Sequence, residues 1–82
     1  MPRSSNVTLL AALESKNGKR WVGFYEDNTF NKPTYYVTTD TGGENLGLDK
    51  KVAAARVVEI AAAIKPKVTL LEITKEVQQR FA

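Results

Sequence analysis

Leu10, Trp21, Tyr25 and Tyr36 are the side chains best able to hold a partner, and Lys16, Lys19, Arg20, Lys32, Lys50 and Lys51 are the charges best placed to steer one. Rings on a flat sheet stack on bases or seat in a protein's pocket, and cations beside them meet phosphates or carboxylates. Catalysis has thinner support. The chain has no histidine and no cysteine, which removes the commonest neutral-pH acid/base, the thiol nucleophile and the usual zinc ligands together. No paired carboxylates, serine triad or ligand cluster stands out. The expectation is a non-enzyme with no cofactor, no bound metal and no small-molecule substrate.

Three sequence elements must carry those rings. Val7, Leu9, Ala11 and Leu13 alternate with Thr8, Leu10, Ala12 and Glu14, the period of two that marks a strand. Asn17-Gly18 is a strong hairpin signal because both residue types accept the positive φ of a type I′ turn. Lys19 to Tyr25 then returns as the second strand. Counting outward from a two-residue loop sets Glu14 opposite Trp21, Leu13 opposite Val22, Ala11 opposite Phe24 and Leu10 opposite Tyr25. One face then carries Leu9, Ala11, Leu13, Val22 and Phe24; the other carries Leu10, Ala12, Trp21, Gly23 and Tyr25. Residues 26–33 read as a loop, and Thr34 to Thr39, rich in threonine, tyrosine and valine, as a third strand; the length of the loop hides the register, so either Tyr35 or Tyr36 could share the face of Trp21 and Tyr25. Residues 40–47 read as a turn and a flexible connection.

Asp49 to Ile64 is the helix around which the chain should organise. Ala53, Val57, Ile60, Ala61 and Ile64 share one broad stripe, and Asp49 is a suitable N-cap. Ala54, Val58 and Ala62 widen the stripe to a second side, so this helix should touch two partners. Lys65-Pro66 ends it, because the residue before proline is pushed out of the α region. Thr69 with Glu72 forms a capping box, flanked by Val68 and Ile73 at staple positions, which starts a second helix at Leu70. A fourth strand at 68–72 is the competing reading. The resulting fold class is α+β: a three-stranded antiparallel meander followed by two helices packed on one face, in the order β-β-β-α-α.

The 82 residues make one domain, 1–82, with a frayed start at residues 1–5. Hydrophobic residues at 43% and charged residues at 26% are ordinary for a globular chain, and the net charge of +3 is compatible with a polyanion without requiring one. No apolar run is long enough for a membrane span and the N-terminus lacks a signal-peptide core, so a cytoplasmic setting with no membrane partner is expected.

Asp40-Thr41-Gly42 resembles the catalytic tripeptide of aspartic proteases, which pair two such aspartates. The likeness covers three residues, and helices are expected after it where that fold places strands, so Asp40 reads as a turn-starting residue. The order of strands and helix also resembles the small arm-binding domains of integrases, which lay a sheet in the DNA major groove, but no motif supports this. The leading reading is a non-catalytic interaction or regulatory module binding a protein partner, itself included as a homodimer, through Leu10, Trp21, Tyr25 and Tyr36. The alternative is nucleic acid, held by the same face or by the hairpin at 16–20, with Lys32, Lys50 and Lys51 in support.

Overall fold

The computed structural model describes residues 6–81. The hairpin of β1 (Val7–Ser15) and β2 (Trp21–Asp27) is followed by β3 (Thr34–Thr39) and β4 (Gly42–Gly47), then by α1 (Lys50–Ala63), β5 (Val68–Leu70) and α2 (Lys75–Phe81). The five strands form one antiparallel sheet in the order β4-β3-β2-β1-β5. This corrects the three-stranded β-β-β-α-α expectation, since four strands precede the first helix and a fifth separates the two helices. The frayed start expected at residues 1–5 lies outside the described residues.

The hairpin keeps the expected offset but not the expected turn. Glu14 pairs with Trp21 and Leu13 with Val22. The Gly18 amide donates to the Ser15 carbonyl at 2.9 Å and the Ser15 amide to the Arg20 carbonyl at 2.9 Å, so the loop runs from Lys16 to Lys19. Only Gly18, at φ 72°, takes the left-handed conformation there. A type I′ turn needs two such residues, and the Asn17 side chain is used instead to accept from Ser15 Oγ at 2.6 Å and the Lys19 amide at 2.9 Å.

Further along β1 the register shifts. Leu9 pairs with Tyr25 and Ala11 with Phe24, leaving Leu10 as the extra residue. A bulge of this kind exchanges the faces of the residues on its far side. Leu9 therefore joins Tyr25 and Trp21, and Leu10 joins Phe24 and Val22.

Gly42 to Gly47, expected to be a flexible connection, is a strand because Asp40-Thr41 forms a tight turn and Thr39 pairs with Gly42. Glycine-rich composition hid it, since strand propensity scores side chains and these residues have few. Asp49 caps α1 as expected, accepting from the Lys51 amide at 2.9 Å and the Val52 amide at 3.3 Å.

After α1 the competing reading prevails. Ser15 pairs with Val68, Glu14 with Thr69 and Leu13 with Leu70, so Thr69 belongs to an edge strand and the helix start moves on to Thr74. Thr74 Oγ1 accepts from the Val77 amide at 3.2 Å. The open edge of β1 offered three residues a ladder, which outweighed a local capping box.

The two helices lie on opposite faces, which overturns the expectation that both cover one. Val22, Phe24, Tyr35 and Val37 pack with Ala53, Val57, Ile64 and Val68 on the α1 face. Ala12 and Tyr25 pack with Val77 and Phe81 on the α2 face.

Candidate functional site

The aromatic face is occupied by the chain's own C-terminal segment. Tyr25 is buried, and its hydroxyl donates to the Phe81 carbonyl at 2.5 Å while accepting from Thr38 Oγ1 at 3.5 Å. Its ring lies over Gly23, where an added Cβ would stand 2.7 Å from the tyrosine hydroxyl; only glycine leaves that space. Lying flat, the ring stacks on Tyr36 at 4.8 Å between centroids and 14° between planes. Phe81 is buried and meets Trp21 edge-on at 5.8 Å. Arg80 pairs with Glu14 across the same face. Of the four residues expected to bind a partner, Trp21, Tyr25 and Tyr36 are brought together against α2, with Trp21 and Tyr36 half-buried. Leu10 is on the other face.

Around Leu10 the opposite situation holds. Helix α1 lies mainly over β3 and β4, so among the described residues the part of its face formed by β1 and β5 is only partly covered, with Leu10, Ala11 and Leu13 half-buried at its edge. Leu10, Leu13 and Phe24 floor a groove of about 500 Å³ whose walls are Ala54, Val58 and Ala61 of α1 and Leu70 of β5, with Lys50 at one end. Val58 is 68% exposed and Leu70 72% exposed. These residues include the second side of α1, which the helical spacing marks as needing a partner, and the described chain supplies none there. Leu13, Val58 and Leu70 were not singled out as site residues. The signal for Val58 was present in that spacing; the signal for Leu70 was masked by reading it as the first residue of a helix.

The cations divide between two ends of the molecule. Arg20 Nε pairs with Asp40 Oδ2 at 2.8 Å and its Nη1 donates to the Lys65 carbonyl at 2.8 Å, which places the hairpin end beside the end of α1. Lys50 and Lys51 start that helix, roughly 20 Å away by its rise per residue, and Lys32 sits on the β2–β3 link at their end. Lys16 and Lys19 are joined instead by Lys65 and Lys67, since Val68 pairs with Ser15.

Besides Asp27, which is lowered by its local bonds from Thr29, three carboxylates that bridge separate elements are held in their charged form. Burial pushes the Asp40 carboxyl up, but bonds from the Trp21 amide and Arg20 outweigh it and keep it below the usual aspartate range. Hydrogen bonding from Arg56 lowers Glu44. Bonds from Asn28 and the Tyr35 hydroxyl lower Glu26. Each is satisfied by a fixed partner, so these carboxylates tie the β2–β3–β4 and α1 elements together and are not poised for proton transfer.

Among the described residues no group of three or more acidic, histidine or cysteine side chains could hold a metal, and no helix is long and apolar enough to cross a membrane. No protein-family model, curated protein or solved structure matches the chain.

Proposed function

We propose that this chain is a non-catalytic interaction module whose groove between α1 and the β1–β5 edge takes an amphipathic helix of another protein. The observation that carries the reading is the exposure of Val58 and Leu70 at 68% and 72% beside Leu10 and Leu13. A contiguous apolar patch of this kind on a small protein marks an interaction surface more often than scattered exposure does. The wall from Lys50 through Ala54 and Val58 to Ala61 runs about three helical turns. That length suits a helix presenting anchors at i, i+3/i+4 and i+7, the usual helix-in-groove pattern. Lys50 at the mouth favours a partner helix with an acidic flank.

The aromatic face supports docking less well, because Tyr25 spends its hydroxyl on Phe81 and Trp21 meets the Phe81 ring. Nucleic acid is the second reading. It is favoured by one specific feature, the gathering of Lys16, Lys19, Lys65 and Lys67 at the hairpin end, where none of them makes an ion pair among the described residues.

The test is quantitative capture with the full chain as bait, comparing the wild type, a Val58→Asp/Leu70→Asp double variant and Lys16→Glu. The expected result is a partner retained by the wild type and Lys16→Glu and lost at least about tenfold by the double variant. A partner held equally by the double variant, or no partner for any bait, would overturn the groove reading. Loss in Lys16→Glu alone, together with binding to oligonucleotides that weakens steeply with salt, would transfer the function to the basic end.

A further inference from the structure

The two edges of the sheet are finished differently. Strand β5 is three residues long and follows Lys65, Pro66 and Lys67, the short, charged, proline-flanked ending that discourages edge pairing. Strand β4, Gly-Gly-Glu-Asn-Leu-Gly, has no neighbour beyond it among the described residues and carries neither lysine nor proline. Its register with β3 shifts near Tyr35, which leaves Gly42 to Asn45 as the regular stretch. The one charge on it, Glu44, is already held by Arg56 through Nε at 2.8 Å and Nη2 at 3.1 Å. An outward row of backbone donors and acceptors on such a strand is a template for another strand.

We propose that β4 pairs antiparallel with β4 of a second copy about a two-fold axis, making one continuous sheet and bringing the two α1 helices side by side. Helix α1 sits over β3 and β4, and neighbouring strands are about 4.8 Å apart. Joining the two edges therefore sets the α1 axes roughly 10 Å apart, within reach of the 8–10 Å of packed helices.

The flank of α1 turned toward the axis is suited to that approach. Val52, Ala55, Arg56 and Glu59 line the open side between α1 and β4, Val52 is 60% exposed, and Ala55 is small enough to let two backbones come close. Arg56 and Glu59, which pair at 3.5 Å within one copy, also form a self-complementary set: in antiparallel helices related by a two-fold, Arg56 of each copy also comes within reach of Glu59 of the other, extending the pair into a four-charge cluster. The Glu44–Arg56 bond ties the middle of β4 to the middle of α1, so one axis serves both the strand pair and the helix pair. This interface uses the flank of α1 opposite the Val58 groove and leaves that groove open in both copies.

The experiment is sedimentation equilibrium and light scattering of the full chain from micromolar to near-millimolar concentration, for the wild type and for Ala55→Arg, Glu59→Arg and Val58→Asp. The wild type and Val58→Asp are expected to dimerise. Glu59→Arg, which sets arginine against the partner copy's Arg56, and Ala55→Arg, which obstructs the helix pair, should weaken dimerisation at least about tenfold with unchanged circular dichroism. A wild type that stays monomeric throughout would overturn the proposal. So would a dimer unaffected by Ala55→Arg and Glu59→Arg, and if that dimer were lost in Val58→Asp, the self-contact would belong to the groove.

Discussion

The two faces of the sheet are covered by unequal helices that hold on in different ways. On one face the longer α1 is attached chiefly through apolar area, with Ala53, Val57 and the capping Ile64 against Val22, Phe24 and Val37 and one exposed ion pair, Arg56 to Glu44, at its β4 side. It leaves the β1–β5 side of the face partly covered. On the other, seven-residue α2 covers less sheet but is pinned by specific bonds: the Tyr25 hydroxyl to the Phe81 carbonyl, Phe81 against Trp21, and Arg80 to Glu14. A helix that short has little stability of its own, so its place depends on those anchors. The rings that look most available for binding are therefore used largely to hold α2, and although a groove of about 520 Å³ remains beside Trp21, Tyr36 and Arg80, the more exposed apolar side chains, Val58 and Leu70, lie on the other face.

The largest effect that would break this contrast is expected at Phe81. Its removal in Phe81→Ala should cost about 3 kcal/mol, as for other buried phenylalanines, while Val58→Ser on the opposite face should stay within about 0.5 kcal/mol because that side chain is 68% exposed. Chemical denaturation of both variants checks the pair. Equal losses would mean that Val58 is packed or that Phe81 is not.

A smaller effect sharpens the account of α2. Thr74→Ala should cost about 1 kcal/mol by removing the cap on the Val77 amide. Thr69→Ala should change stability by less than about 0.5 kcal/mol, as expected for an exposed strand position. The reverse order, read from thermal melts, would restore the helix start to Leu70.

These pairs also show where the sequence was legible. The β1–β2 offset followed from the alternation around Asn17-Gly18, and α1 from its stripe, Asp49 and Pro66, because in each case local chemistry and tertiary packing favour the same answer. The bulge at Leu10 was not legible: nothing in Leu9-Leu10-Ala11 marks which leucine is extra, and one added residue was enough to move Leu10 out of the aromatic group. Thr69 was misread because a capping box is a local preference, whereas the vacant edge of β1 is visible only once the sheet exists. As for the candidate site, the pairing of Trp21 with Tyr25 on one face was readable from strand parity, whereas the long 26–33 connection left open whether Tyr35 or Tyr36 joins them until the register set Tyr36 opposite Tyr25. The cover over these rings was not readable, since it depends on where a seven-residue helix lands.

The claim on which the rest depends is that this chain closes its own aromatic face, and Trp21, the only tryptophan present, reports on it directly. Acrylamide quenching of its fluorescence should be several-fold weaker in the folded wild type than in the denatured chain, and should rise sharply in Phe81→Ala under conditions where circular dichroism still shows the sheet. Quenching in the folded wild type as strong as in the denatured chain would mean that α2 does not cover Trp21, and would return the aromatic face to the position of leading docking surface.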